Sequence, residues 1–226
     1  MRLPRWVDDA CPPGRLYPTI DERMDLVIEL ARRNIAEETG GPFGAGVFNP
    51  DDGKLIAAGV NMVVPLQAAI LHAESVAFAL AGQVLGTFEL AGMELVTSTE
   101  PCAMCLGAVP WAGIGRLVCG ARHEDAAAVG FDEGDKPPHW EEGLAARGIE
   151  VVQDVRRHQA TAVLEAYALV THGSHGHHDA ELGTFLHRDE QIARARHRVR
   201  DMIRDLLADA ARTGRVRDDV TPAELA

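Results

Sequence analysis

The chain has 226 residues, 46% of them hydrophobic, which suits one domain with a real core plus an extension; no apolar run reaches the roughly 18 residues of a membrane span. The formal net charge is -12, and nearly all of it lies ahead of His172, where 13 basic side chains meet 24 acidic ones; from His172 onward 9 arginines face 10 acids. With lysine only at Lys54 and Lys136, this balance argues against a polynucleotide partner and for a small uncharged one, because nucleic-acid enzymes gather Lys and Arg to meet phosphates.

Residues 1–18 read as an N-terminal arm. Met1 to Pro13 carries Arg2 and Arg5 but no apolar stretch, so it is not read as a secretory signal. Thr19-Ile20-Asp21-Glu22 reads as a capping box that opens a helix, with Met24, Val27, Ile28, Ala31 and Ile35 at helical spacing and Gly40-Gly41 as its stop. Gly44 to Phe48 and Leu55 to Val60 read as a hairpin around Asn49-Pro50-Asp51-Asp52-Gly53. A helix is expected over Leu71 to Ala81, with His72 and Glu74 in its first turn. A strand over Glu94 to Ser98 then leads to Pro101, which suits a helix entry, and a helix over Ala103 to Trp111. Strands at Arg116 to Gly120 and Ile149 to Val152, and helices at Trp140 to Arg147 and Gln159 to Leu169, complete the domain. The alternation after the hairpin predicts an α/β fold, a three-layer α-β-α sandwich with a mixed central sheet, over residues 19–171.

From Thr171 the character changes. Residues 172–181, with His172, His175, His177 and His178, read as a solvated linker rather than a metal site. Residues 182–226 read as a helical extension, in which Ile192, Val199 and Leu206 recur every seven residues along a packing stripe.

The chemistry concentrates in His72-Ala73-Glu74 and Pro101-Cys102-Ala103-Met104-Cys105. One imidazole and two thiolates make three ligands, and they leave the fourth vertex of a tetrahedral zinc open, which is what hydrolysis needs. A carboxylate two residues beyond the histidine can sit beside that vertex without being a ligand. A redox pair or half of a structural zinc site are the competing readings of the C-x-x-C. Cys11 and Cys119 are isolated and supply no second pair, and neither competing reading accounts for His72 and Glu74. The four cysteines form no disulfide framework, so the cytoplasm is the expected compartment.

H-x-E followed by P-C-x-x-C matches the signature of zinc deaminases. Residues 20 to about 170 resemble the cytidine-deaminase-like superfamily, and within it the bacterial guanine deaminase branch, some members of which also accept ammeline. The resemblance rests on GGPFGAGVF (Gly40 to Phe48), AAGVNMVVP (Ala57 to Pro65), HAE, LVTSTEPCAMCLGAVPWAG (Leu95 to Gly113) and VGFDEGDKP (Val129 to Pro137). It implies one zinc per chain on His72, Cys102 and Cys105, with Glu74 as proton shuttle and Glu133 as a second acid that reaches the leaving amine. It also implies that Asn61 binds the base edge, that Phe43 and Phe131 flank the ring, that Ala73 lies at the substrate, and that the protein is a homodimer. The implied substrate is a small nucleobase or triazine, guanine first. A tRNA adenosine deaminase and a binding or regulatory protein that has lost catalysis are the alternatives. The segment that closes the active site in this branch is not recognisable after Leu164 to Val170. The stretch from about Leu182 to Ala226 is instead similar to the C-terminal end of TetR-type regulators, without a helix-turn-helix.

Overall fold

The structure, a computed structural model, describes residues 1–172. The extension expected over 182–226, and the linker beyond His172, lie outside the described residues. By its internal contacts the chain divides between Tyr167 and Ala168, and the layered fold belongs to the first unit.

The elements in chain order are α1 (Trp6–Ala10), α2 (Ile20–Ala36), β1 (Gly44–Phe48), β2 (Leu55–Val60), α3 (Val63–Leu66), α4 (Ala73–Leu85), β3 (Glu94–Thr99), α5 (Ala103–Ala112), β4 (Arg116–Ala121), α6 (His123–Ala128), α7 (Trp140–Ala145), β5 (Glu150–Val152) and α8 (Arg157–His172). The expected capping box forms: Thr19 Oγ1 accepts the Glu22 N–H at 3.2 Å, and the Glu22 carboxylate accepts the Thr19 N–H at 2.9 Å. Both hairpin strands run between the predicted residues. The turn closes through Asn49, whose carbonyl accepts the Gly53 N–H at 3.0 Å and whose side chain accepts the Asp51 N–H. Three short helices, α1, α3 and α6, were not legible, since four to six residues give the helical period no room to show.

The five strands lie in the order β2-β1-β3-β4-β5. β1 is antiparallel to both β2 and β3, while β3, β4 and β5 run parallel, so the sheet is mixed as expected. Alternation along the strands divides the core in two. Ala45, Val47, Leu95, Leu117 and Cys119 meet Ala73, Ala77 and Ala81 of α4, Leu106 and Val109 of α5, and Leu144 of α7. On the opposite face, Val96 and Val118 pack with Met24, Val27 and Leu30 of α2 and with Trp6 and Val7 from the N-terminal arm. Gly59 lets α4 lie close on β2: a Cβ there would come within 2.1 Å of the Ala73 carbonyl oxygen. Among the described residues no helix is long and apolar enough to cross a membrane.

Candidate active site

The topology gathers the motif residues along one edge of the sheet. β2, β3 and β4 end on the same side and β1 begins there. Asn61 follows β2, Cys102 lies three residues past β3, Phe131 and Glu133 lie beyond β4, and Phe43 precedes β1. In open α/β sheets this carboxyl edge is where ligands bind.

His72 and Cys102 are the N-cap residues of α4 and α5. His72 therefore stands just ahead of its helix and not inside the first turn, because Ala73 is the first residue with helical geometry. Both caps are extended, and neither side chain caps its own helix. They turn towards each other instead: His72 Nδ1 lies 3.4 Å from Cys102 Sγ. Cys105, one turn into α5, is fully buried, and its Sγ lies 3.7 Å from Ser75 Oγ. One donor atom from each of His72, Cys102 and Cys105 lies within 4.8 Å of the others, the one such group of three found among the described residues. Zinc bonds of about 2.3 Å to sulfur and 2.0–2.1 Å to nitrogen put two such donors about 3.5 Å apart on a tetrahedron, so the spacing fits.

The electrostatics fit as well. A hydrogen bond from Cys105 brings the Cys102 thiol down, while the same bond and burial push Cys105 up. Two thiols so close together suit a divalent cation, which binds them by displacing their protons. The hydrogen bond with Cys102 raises His72. Two helix N-termini add positive potential to the same spot.

Two carboxylates border this cluster. Glu74, in the first turn of α4, is buried, and burial pushes its carboxyl up. Glu133 is 7% exposed although its neighbours Asp132 and Asp135 are solvated, and burial raises it to about 7. The loop achieves this locally. Asp132 Oδ1 accepts the Gly134 N–H at 2.9 Å, Gly134 takes a φ of +68° that favours glycine, and the Glu133 carbonyl accepts the Ala103 N–H at 2.8 Å. The run Asp132, Glu133 and Asp135 therefore has its middle member turned inward against α5, although a cluster of acids by itself suggests a solvated face.

Asn61 is 8% exposed. Its Oδ1 accepts the Val63 N–H at 3.3 Å, which fixes the amide so that Nδ2 points away. Its own backbone is tied by N–H donation to the Phe43 carbonyl at 3.2 Å and by acceptance from Asn34 Nδ2 at 2.9 Å. Phe43 and Phe131 meet edge to face with centroids 4.8 Å apart, and Tyr167 of α8 stacks on Phe131 at 5.7 Å. Ala73 is fully buried against β2 and offers the site only its backbone.

Ser75, Tyr167 and Asn34 were missed in the sequence. Ser75 had a signal: it is three residues past His72 on the same helical face. Tyr167 and Asn34 had none, since only tertiary packing brings them to Phe131 and Asn61.

The profile of the cytidine and deoxycytidylate deaminase zinc-binding region matches residues 18–121. That of the transcriptional regulator SbtR-like C-terminal domain matches residues 161–226. The guanine deaminase of Bacillus subtilis is 41% identical over 110 residues, covering 49% of this chain and 69% of that protein. A solved guanine deaminase from Nitrosomonas europaea superposes with a TM-score of 0.71 at 47% identity over 74% of this chain and 94% of that one. A structure of NE0047 in complex with 2,6-diaminopurine gives a TM-score of 0.73 at 44% identity, covering 79% and 95%.

Proposed function

The chain belongs to the cytidine and deoxycytidylate deaminase zinc-binding family, and from this we propose that it replaces the exocyclic amine of guanine with oxygen, giving xanthine and ammonia. The observation that carries this reading is the pairing of a three-donor His72, Cys102, Cys105 centre with two buried carboxylates from separate elements, Glu74 and Glu133. A structural zinc would use a fourth protein ligand, and a redox pair would have no use for the acids. When bound, zinc supplies Lewis acidity that brings the pKa of water to near ~7.

The side chains supply the rest. Asn61 Nδ2 donates to the edge of the base, and Phe43 with Phe131 bounds the face of the ring. Glu74 takes the proton of the attacking water and passes it to the ring nitrogen beside the carbon under attack. Its raised carboxyl suits a group that must accept and then donate. Glu133, raised to about 7, delivers a proton to the departing amine, and as the C–N bond breaks and the C=O forms, the second proton of the water returns to Glu133. The likeness to two guanine deaminases supports guanine, and the complex of NE0047 with 2,6-diaminopurine supports an aminated purine. The acidic balance of the first 171 residues weighs against tRNA.

We also propose that the protein is a homodimer. Phe88 and Trp111 are 82% and 86% exposed. Their segments adjoin: Leu90, two residues after Phe88, donates its N–H to the carbonyl of Ala112, which follows Trp111, at 2.8 Å. Large exposed aromatics on adjoining segments are what an interface would cover. The proposed compartment is the cytoplasm, where the four free cysteines stay reduced.

The test is an ammonia-release screen of zinc-loaded protein across guanine, guanosine, ammeline, other aminated purines and pyrimidines, and tRNA. Guanine should be the preferred substrate. Glu74→Ala should keep its zinc and lose turnover by about 10²-fold or more. Ammonia release by that variant at the wild-type rate, or activity confined to tRNA, would overturn the reading.

A further inference from the structure

Glu133 sits on a loop, and loops place catalytic groups well only when they are braced. Its own carbonyl is tied to the start of α5 through the Ala103 N–H, at 2.8 Å. A second tie lies three residues on. Lys136 Nζ is 3.4 Å from Glu100 Oε2, with side chains only 8% and 5% exposed. Glu100 ends the run from β3 into the Pro101-Cys102 turn, and its carboxylate is fully used. It accepts Gln153 Nε2 at 2.7 Å on one oxygen, and the His123 N–H at 3.2 Å together with Lys136 on the other. The Lys136 ammonium also lies 5.9 Å from the Trp140 ring centroid. The Glu133 loop is thus pinned on both sides of its left-handed Gly134.

A buried ion pair gains little net stability, because desolvation offsets attraction; what it fixes is geometry. We propose that Lys136, held by Glu100, is the positioning residue that sets the Glu133 carboxyl against the metal-ligand cluster. This rests on the role given to Glu133 above. The Lys136 side chain is committed to Glu100 and Trp140, and its charge also opposes the rise that burial causes at the Glu133 carboxyl.

Two readouts test it on the zinc-loaded full chain. The first is amide hydrogen exchange. Lys136→Met should speed exchange at Ala103, whose N–H holds the Glu133 carbonyl, while zinc stays at one per chain. The second is a double-mutant cycle on kcat with guanine. Lys136→Met should lower kcat by about tenfold or more in the wild-type background and add nothing on top of Glu133→Gln. Lys136→Arg, which keeps the charge, should restore most of the loss. Glu100→Gln removes the charge facing Lys136, keeps a single acceptor oxygen that can serve Gln153 or the His123 N–H but not both, and should repeat the loosening if Lys136→Met does not fold. Unchanged exchange at Ala103, or losses that multiply on the Glu133→Gln background, would overturn the proposal. If the wild type does not act on guanine, the substrate reading fails and the exchange measurement alone decides this one.

Discussion

Asn61 is held through its backbone, fastened to Phe43 and Asn34, and through its Oδ1, spent on Val63, leaving the amide nitrogen that is proposed to meet the base. Asn61→Ala should therefore keep full zinc content and lose about tenfold in kcat/KM for guanine, the worth of roughly one neutral hydrogen bond. Cys102→Ala is the contrasting case. It removes one of three donors, and metal analysis of the purified protein should show zinc largely lost. The two variants separate recognition of the base from assembly of the centre. The donors were readable in the sequence because their spacing carries the chemistry. The inward turn of Glu133 was not, because an acidic run by itself suggests solvent, and only its burial and the bond to Ala103 show otherwise.

At the scale of elements, the site depends on how closely α4 lies on β2. Gly59 sets that distance, and any side chain there would drive into the Ala73 carbonyl, next to the ligand His72. Gly59→Ala should cost about 1–3 kcal/mol of stability and weaken zinc binding together, measurable by denaturant unfolding and chelator competition. A second element contact makes a pH prediction. Asp125 caps α6 by accepting the Arg122 N–H at 2.7 Å and receives two hydrogen bonds from Arg157 at 2.8 and 2.9 Å, fastening α8 to α6. The bonds from Arg157 hold the Asp125 carboxyl below its ordinary 3.8. A depressed carboxylate stabilises the fold above its unfolded pKa and loses that contribution as pH falls through the lower folded value. Asp125→Asn should thus lower Tm by about 2–4 °C at neutral pH, and the gap should close in strong acid. The strands and long helices behind these contacts were legible from alternation, capping and turn residues. The ion pairs that join them were not, since Asp125 and Arg157 lie far apart in the chain and either reads alone as a surface charge.

The whole molecule raises the question of assembly. Trp111 and Phe88 are the most exposed aromatics among the described residues, and the proposed dimer would give them a partner. Trp111→Glu should shift the protein from dimer to monomer in sedimentation at micromolar concentration; a wild type already monomeric there would remove the proposal. Residue types and local spacing by themselves determined the metal donors, the neighbouring acid Glu74, and the alternation of strands and helices that makes a mixed α/β sheet. Each of these is written within a few residues, at the range over which helix and strand periods, caps and ligand spacings act. Tertiary structure decided what those pieces share: that the ends of β2, β3 and β4 open on one edge, that Glu133 turns in against the start of α5, and that Lys136 reaches Glu100. Those contacts join residues dozens of positions apart, and only the packing of the layers brings them within bonding distance.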